Sequence, residues 1–403
     1  MTEVFPLYQQ ANKIPKQRQS THAGLYFDRF YNLNEAQSDQ KSRKDESPET
    51  RKSGFLKEIE RMSGESKCGN PSELRAYQDR HLNLLIALNG VARVYRSDWH
   101  WVSGLGLPNP VENGFLWHPT LATPYLSGAA VKGLVRAWIE QDAAETKEKK
   151  QLLKKLFGSD TKQTTEQQTG DIIFFDAFPI EPVELTVDTI TPHYSDWYSN
   201  GNNATIDNPE TVPADWNTTQ PIPFLAIKQS KLMFSFAARP GISLSEQERL
   251  LIKTALDDAL QWLGAGAKTA VGYGYMSEDL NETNRLGKER RKREEELRKR
   301  EEERRKREEA LLRPAEKTLK WLQNALNHRL DNGIQPNPSD ELRQKLAEAI
   351  KKAEESDEWL STEVEMLVAL ADRCIEYWGG CKGNKKLTTL QTSAHQLLEK
   401  HSC

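Results

Sequence analysis

A twelve-residue stretch from Gly264 to Tyr275, GAGAKTAVGYGY, combines four glycines with one lysine and two tyrosines. Glycine is kept where φ must be positive or where another group approaches the backbone closely. The lysine within the stretch indicates that the approaching group is negatively charged. The stretch therefore predicts an anion-binding turn. The candidate contact residues are Gly264, Gly266, Lys268, Gly272, Tyr273 and Gly274.

Several kinds of anion site compete for this turn. A P-loop has the order strand, G-x-x-x-x-G-K-[ST], helix, whereas here a helix precedes, a strand follows, and Ala267 stands before Lys268. The dinucleotide fingerprint fails for the same reason of context. Two interpretations remain open: a helix C-cap followed by a bulged strand, and a main-chain cradle for RNA phosphates with a tyrosine stacked on a base.

Further basic and aromatic residues lie outside the turn. Lys132 and Arg136 stand one helical turn apart in GAAVKGLVRAWIEQ. Two interpretations are open: the pair contacts phosphate, or it belongs to a solvated, salt-bridged helix face. His193 in TPHYSDWY can stack, donate to a phosphate or cap a turn. The neighbouring aromatics are more typical of a core or a subunit interface. They are Tyr194, Trp197 and Tyr198.

Composition restricts the class of protein. The 403 residues include 56 Lys and Arg against 59 Asp and Glu, so a nucleic-acid site must be a local patch. The sequence has no apolar run that could span a membrane and no secretory segment, which predicts a cytoplasmic protein. The spacing of Cys374, Cys381 and Cys403 matches no standard zinc site, and packing cysteines are the favoured interpretation. We expect no metal and no cofactor.

The elements that position these residues follow from hydrophobic periodicity and from turn residues. The predicted helices cover residues 71–90, 128–141 and 243–264, and the predicted strands cover 91–102, 171–180, 184–190, 224–227, 231–239 and 271–276. A tight turn is expected between the fourth and fifth of these strands. The order fits an α+β class with a split βαβ, ferredoxin-like (RRM-like) sheet better than a doubly wound parallel sheet.

Four segments are predicted along the chain: 1–70, 71–281, 282–313 and 314–403. In the first, HAGLYFDRFYN from His22 forms a short ordered segment on the main body, and residues 36–70 form a surface loop or disordered insertion with a short helix near Phe55–Met62. The last segment is helical.

A charged linker joins the last two large segments. Of the 22 residues from Lys288 to Glu309, all but Leu297 are charged, with glutamates four residues before lysines and arginines. This order predicts one solvated helical arm over 283–312 that presents the C-terminal segment to a partner. A basic arm that binds RNA is the alternative, and the interleaved glutamates disfavour it.

A family resemblance links these motifs. The spacing G-x-G-x5-G-x-G-Y after an amphipathic helix resembles the glycine-rich loop of the RAMP superfamily of CRISPR proteins. PYLSGAAVKGLVRAW resembles the turn that opens the first helix of RAMP subunits in type III effectors, and FGS followed by GDIIFFDAFP resembles the next segment. HPTLATPYLSG and DTITPHYSDWY are similar to the sixth-subunit family of the Cmr (type III-B) complex.

The resemblance covers about residues 90–278 and departs from the family at one turn. The usual Gly-Ser-Ser is Gly128-Ala129-Ala130 here, so a phosphate contact at this turn has to come from backbone amides at the helix N-terminus, helped by Lys132. The resemblance favours the RNA interpretation of the glycine turn.

The resemblance implies a non-catalytic RNA-binding subunit. Such a subunit holds the 3′ part of the guide RNA and the guide–target duplex, and its partners are guide RNA, target RNA and other subunits, chiefly the backbone RAMP subunit. Two alternatives stay open. One is a metal-independent endoribonuclease, and the other is a scaffold that acts through its helical tail. Residues for the first are His22, Glu112, His118 and His193.

Overall fold

The computed structural model describes residues 22–31, 48–141, 146–159, 167–201, 205, 212–215, 219, 221–337, 340–356, 358–380 and 384–401. The chain divides into two compact units, Met1–Glu294 and Glu295–Cys403. The four-segment division expected from the sequence is finer than this and stays a prediction.

The described elements mix helices with antiparallel strands, as the α+β class predicts. The helices are α1 (Ala23–Arg29), α2 (Pro48–Ser66), α3 (Pro71–Ala87), α4 (Gly128–Gln141), α5 (Lys147–Phe157), α6 (Ser195–Asn200), α7 (Glu246–Trp262), α8 (Leu280–Leu311), α9 (Pro314–Asp331), α10 (Glu341–Glu355), α11 (Ser361–Tyr377) and α12 (Lys385–His401). The strands are β1 (Val91–Ser97), β2 (Pro108–Asn109), β3 (Glu112–Asn113), β4 (Ile172–Phe174), β5 (Phe178–Pro179), β6 (Leu185–Ile190), β7 (Ile222–Ile227), β8 (Lys231–Ala238) and β9 (Met276–Glu278).

The main sheet has the strand order β4-β8-β1-β9, with β5 beside the other half of β8, and all its pairs are antiparallel. Successive residues of one strand face opposite sides of the sheet. Val94 and Met233 therefore pack toward Leu82 of α3 and Leu286 of α8. Tyr95 and the other side of the sheet pack in a larger core with α4 and α7.

An ionic cluster ties α7 to the sheet just before the glycine turn. Arg93 on β1 is 9% exposed and forms ion pairs with Asp257 of α7 and Glu278 of β9. The Tyr95 hydroxyl donates to Asp257 at 2.6 Å. Because a buried guanidinium is costly without partners, the cluster strongly favours one position of α7 relative to β1 and β9. The glycine turn connects α7 to β9.

Two adjacent strands with a predicted tight turn between them belong to different sheets. β7 pairs with β6, whereas β8 pairs with β1, β4 and β5. The connection between them bonds to different partners on its two sides. The Lys228 amide donates to the Glu184 carbonyl at 2.9 Å, and the Ser230 amide donates to the Ser97 hydroxyl at 3.0 Å. The connection is short, as predicted, but these long-range partners place β7 and β8 in different sheets.

The N-terminal part is more ordered than its composition predicts. The short helix predicted near Phe55–Met62 is confirmed, but α2 is longer and replaces the expected loop on both sides of it, and Leu56 and Ile59 are fully buried in the main core. The Leu185 amide donates to the Ser63 hydroxyl of α2 at 2.9 Å. The apolar residues of α2 recur at helical spacing. The mean hydropathy of this polar segment does not reveal that spacing. Residues 36–47 lie outside the described residues. The ordered segment predicted after His22 is confirmed as α1.

Several strand and helix boundaries differ from the predicted ones. The strand expected over 91–102 ends at Ser97, because the Trp101 amide donates to the Ile227 carbonyl of β7 at 3.1 Å. The strand expected over 171–180 divides into β4 and β5, and the last strand begins only at Met276. Ser245 caps α7 in a capping box with Glu248. Leu250 of α7 is 62% exposed.

The second unit has its own helical core, as the predicted C-terminal helices require. Leu322, Leu346 and Leu367 are fully buried in it. Trp321 of α9 is 39% exposed. Burial raises the pKa of the Cys374 thiol to about 12, which fits a packing cysteine. Cys381 and Cys403 lie outside the described residues, and no group of three metal-ligating side chains occurs among those described.

Two further observations concern single helices. The charged stretch expected over 283–312 is one helix, α8. Within the described part of the chain, no helix is both long and apolar enough to cross a membrane.

Candidate nucleic-acid interface

The glycine turn begins where α7 ends and lies against the chain that follows β1. Gly264 has a φ of 74°, and its amide donates to the Ala259 carbonyl at 3.0 Å, which ends the helix. The Ala267 amide donates to the Val102 carbonyl at 2.8 Å, and the Gly274 amide donates to the His100 carbonyl at 2.9 Å. The turn is thus held by backbone bonds.

Three of the four glycines are explained by the approach of this chain's own backbone. A Cβ on Gly266 would lie 2.1 Å from the Val102 carbonyl oxygen, and one on Gly274 would lie 2.0 Å from the Ala265 oxygen. A Cβ on Gly264 would lie 3.1 Å from the Tyr273 oxygen. The approach of this chain's own backbone therefore accounts for these three glycines, for which the sequence alone also allowed the close approach of an RNA backbone.

Gly272 and Lys268 differ from the other residues of the turn. Gly272 has a φ of 99°, and a Cβ there would meet nothing within 4 Å. Lys268 has a φ of 62° and precedes a short 3-10 turn, Thr269–Val271. The amides of Thr269 and Ala270 have no acceptor among the described residues. Two unpaired amides beside a lysine form the kind of concavity that binds anions.

The Lys268 side chain is half-buried and lies over an aromatic ring. Its Nζ atom is 5.3 Å from the centroid of Phe224 on β7. No carboxylate within the described ranges pairs with it. The charge of the turn is therefore held in place but is not neutralised.

Tyr273 requires a correction. The residue is 5% exposed and packs 6.0 Å from Phe224 and 4.9 Å from Trp99 between ring centroids. Its hydroxyl donates to the Asp188 carboxylate of β6, and burial followed by this bond raises the Tyr273 pKa. The ring is therefore part of the support beneath the turn and is not available to stack on a base.

Two of the amides at the start of α4, predicted to bind phosphate, already have acceptors. The Gly128 amide donates to Asp176 Oδ1 at 2.7 Å, and the Ala130 amide donates to the Ser127 hydroxyl at 3.3 Å. The expectation is corrected for these two amides, because an aspartate and a serine cap the helix there, whereas the Ala129 amide has no acceptor among the described residues. A Cβ on Gly128 would lie 2.3 Å from the Phe174 carbonyl oxygen, so this glycine allows α4 to approach β4.

Lys132, by contrast, lines an open cleft of about 380 Å³ beside the start of α4. Arg239 lies on the same cleft and donates to the Thr169 hydroxyl at 2.7 Å. Burial and the nearby charges of Arg136 and Arg239 lower the pKa of Lys132. No carboxylate is among the described lining residues. The cleft is thus positively charged, and Arg239 was not foreseen.

Arg136 and His193 have different surroundings. Arg136 donates to Glu140 at 2.7 Å, which is the salt-bridged alternative considered for it. His193 is exposed three residues after β6, and its ring centroid lies 6.2 Å from that of Tyr194. Helix α6 has no side-chain cap, so His193 does not cap it. Trp197 is 38% exposed rather than part of a core, and Tyr198 is 80% exposed.

Of the residues considered for catalysis, His22 and His118 are neighbours, since His22 Nε2 lies 3.0 Å from the Pro119 carbonyl oxygen, and burial together with the charge of His22 lowers the pKa of His118. The Leu25 amide donates to His22 Nδ1 at 3.0 Å, and Lys52 donates to Glu112 at 3.0 Å. The Leu121 amide donates to His118 Nδ1 at 3.3 Å. These three side chains hold local structure. They form no shared cluster with His193 in the contacts of the described residues.

A buried histidine that sequence analysis overlooked is His81. Its Nε2 lies 2.7 Å from the Ser235 hydroxyl, and burial lowers its pKa to about 4. The pair lies inside the sheet–α3 packing, since His81 is 8% exposed and Ser235 is 2% exposed.

Comparisons with known proteins bear on the same region. Residues 97–277 match the family model of the RAMP superfamily. The chain is 26% identical over 254 residues to CRISPR system Cmr subunit Cmr6 of Pyrococcus furiosus, covering 50% of this chain and 72% of that protein. It is 31% identical over 86 residues to CRISPR system CMR subunit Cmr6 of Saccharolobus solfataricus, covering 21% and 26%.

Similar solved structures include a cryo-EM structure of the Type III-B Cmr-beta bound to cognate target RNA. The TM-score is 0.43 at 19% identity, covering 61% of this chain and 79% of that chain. A crystal structure of Cmr6 from Pyrococcus furiosus has a TM-score of 0.27 at 21% identity, covering 47% and 97%.

Proposed function

We propose that this chain, whose residues 97–277 match the RAMP superfamily model and which is similar to the Cmr6 subunits of CRISPR Cmr systems, holds RNA in a type III-B complex without cutting it. The RNA is the 3′ part of the guide and the guide–target duplex. Base pairing supplies the sequence specificity, and this subunit contacts the backbone.

One observation carries the proposal. Lys268 stands beside two unpaired amides in the turn between α7 and β9, and no carboxylate of the described chain neutralises it. Amides and a lysine are the groups that proteins direct at phosphate oxygens. The glycines Gly264, Gly266, Gly272 and Gly274 contribute the backbone shape of this turn.

A second basic region supports the same role. The Lys132–Arg239 cleft concentrates positive charge in a protein whose net charge is −3. Arg136 adjoins it, and its exposed pair with Glu140 is weak enough to exchange for a phosphate. His193 is an exposed donor on the β6 side. We propose that each of these side chains contacts the RNA backbone.

The proposal extends to the fold. The order β4-β8-β1-β9, together with α4 before β4 and α7 before β9, supports a ferredoxin-like sheet. The core of the second unit supports a separate helical module that meets a partner through its own surface. The partners we propose are guide RNA, target RNA and the neighbouring backbone RAMP subunit, in the cytoplasm, with catalysis in other subunits.

Reconstitution of the complex tests this function. Complexes assembled with the wild-type chain and with a chain carrying Lys132→Gln and Lys268→Gln are washed at rising salt, and the retained guide RNA is measured. We expect the double variant to release guide at lower salt, because each lost phosphate contact removes counterion release. Equal retention at every salt concentration refutes the proposal. Lys253→Gln, on the exposed face of α7, is the matched control.

A further inference from the structure

Trp99 is an exposed aromatic residue beside the glycine turn, and neither the proposed function nor the sequence motifs assign it a role. Its side chain is 47% exposed, whereas Trp101, two residues later, is fully buried. Trp101 donates to the Ser230 hydroxyl at 2.9 Å and belongs to the core. Trp99 is not part of a hydrophobic core, so core packing does not explain a large exposed ring at this position.

The Trp99 ring is held from within the protein. Its centroid lies 4.6 Å from that of His100, with an angle of 19° between the planes, and 4.9 Å from that of Tyr273. Tyr273 is in turn fixed by its hydrogen bond to Asp188. Burial lowers the pKa of His100, so its ring is neutral at pH 7. The indole therefore rests on two rings that are themselves positioned.

The backbone on both sides of Trp99 is fixed as well. The Asp98 amide donates to the Tyr275 carbonyl at 2.9 Å, and the Gly274 amide donates to the His100 carbonyl at 2.9 Å. The turn approaches the chain after β1 most closely at Gly266, where a Cβ would lie 2.1 Å from the Val102 carbonyl oxygen. Trp99 and the glycine turn thus form one unit, and little conformational entropy remains for a ligand to remove.

An aromatic series joins Trp99 to the positive charge. Tyr273 contacts Trp99 and also Phe224, and Lys268 lies over Phe224. Exposed rings and basic groups on one surface are the combination by which proteins hold unpaired nucleotides, with bases on the ring and phosphates on the cation. Here two intervening rings, Tyr273 and Phe224, connect the indole to the lysine. An apolar side chain of a neighbouring subunit would use the ring but would leave Lys268 unneutralised.

We propose that Trp99 is a stacking platform for an unpaired base of the RNA whose phosphates Lys268 contacts, a step that rests on the proposed function. The substrate class is single-stranded RNA of any sequence, because every base has a face that stacks. A guide–target duplex offers no free base face in its interior, so this position serves an unpaired segment of the RNA.

The test compares two probes on the full chain by fluorescence anisotropy at one salt concentration. One probe is a labelled adenosine oligoribonucleotide, and the other is an abasic ribose-phosphate oligomer of the same length. Trp99→Ala should weaken binding of the adenosine oligomer roughly 5- to 150-fold and leave the abasic oligomer unaffected. Trp99→Phe should retain most of the affinity. Trp262→Ala, 62% exposed on α7, should change neither.

The other outcomes are equally informative. If Trp99→Ala weakens both probes alike, or neither, the ring does not stack on a base and the inference is overturned while the proposed function stands. If the wild-type chain binds neither probe, the proposed function fails and the inference falls with it. If Trp99→Ala does not fold, the fluorescence of an oligomer containing 2-aminopurine is measured with the wild-type chain and with Trp99→Phe. Stacking on an aromatic ring quenches this fluorescence. Unchanged fluorescence on binding overturns the inference.

Discussion

The ammonium group of Lys268 lies 5.3 Å from the centroid of the Phe224 ring, so the charge of the glycine turn rests on strand β7. A cation–π contact contributes about 0.5–1 kcal/mol at an exposed site and about 2 kcal/mol when desolvated, and this half-buried lysine over a buried ring lies between those cases. This energy is small enough for a phosphate to approach the same ammonium group from the solvent side. The contact joins the two sequence-distant segments that form the candidate site, the turn and the β6–β7 ribbon.

Reversing the charge at Lys268 should weaken RNA binding with little effect on stability. Lys268→Glu removes one phosphate contact and adds repulsion, so the affinity should fall and the slope of log K against log salt should shrink by about 0.7. The loss should be similar for unrelated guide sequences, because phosphates carry no sequence. Lys253→Glu is the control. Unchanged affinity and salt slope for Lys268→Glu would exclude this residue from the interface.

Two glycines of the turn should differ in their tolerance of alanine. Gly274→Ala places a Cβ 2.0 Å from a carbonyl oxygen at a φ of 76°, and we expect a loss of about 3 kcal/mol or more in the free energy of unfolding. Gly272→Ala meets no atom and bears only the backbone strain, about 1–2 kcal/mol. Urea titration measures both. Equal losses would mean that close backbone approach does not explain Gly274.

Acid should destabilise the first unit through His81. Unfolded histidine binds a proton near pH 6.5, whereas buried His81 does so only near pH 4, so the unfolded state holds more protons between these values. The free energy of unfolding should therefore fall as pH decreases from 6.5 to 4, by about 3 kcal/mol from this group. His81→Gln should lack this part of the dependence. If the free energy of unfolding of the wild-type protein and that of His81→Gln changed in parallel with pH, the prediction would be wrong.

Truncation should distinguish two boundaries within α8. Leu286 is 1% exposed against Leu82, Val94 and Met233, so a chain that ends at Leu280 loses a buried contact worth about 2–5 kcal/mol. A chain that ends at Glu294 keeps it. We expect the longer truncation product to fold, enter the complex and hold guide RNA, as measured by co-purification.

The two truncated chains also test the sequence-derived boundary near residue 281. Equal melting temperatures for chains ending at Leu280 and Glu294 would show that the first turns of α8 add nothing to the first unit. The separate 314–403 fragment should be helical by circular dichroism, since its core is internal.

Target cleavage should not depend on the residues considered for catalysis. Because His22, Glu112 and His118 hold local hydrogen bonds, glutamine is the better replacement for them, and alanine suits exposed His193. A complex with this fourfold variant should cut target RNA at about the wild-type rate. Complete loss of cutting, with normal assembly and RNA loading, would locate an active site in this chain.

Local sequence was sufficient for the elements with strong patterns. Ser245 three residues before Glu248 specifies the start of α7, and the glutamate–arginine spacing specifies α8, because both depend on contacts within one or two helical turns. The glycine turn with Lys268 was recognised for a related reason: a run of positive-φ residues after a helix is visible in one stretch of chain. Only the middle of α2, near Phe55–Met62, was expected to be helical, because its apolar residues are sparse among charges.

Only the tertiary structure decided which of these residues are available to a ligand. It buries Tyr273 against Asp188, occupies the first amides of α4 with Asp176 and Ser127, and leaves Trp99 exposed. It also brings Arg239 to Lys132 across residues distant in sequence. Residue type and spacing determine what a side chain can do chemically. Exposure and hydrogen-bond partners depend on contacts between distant segments, which no local pattern contains.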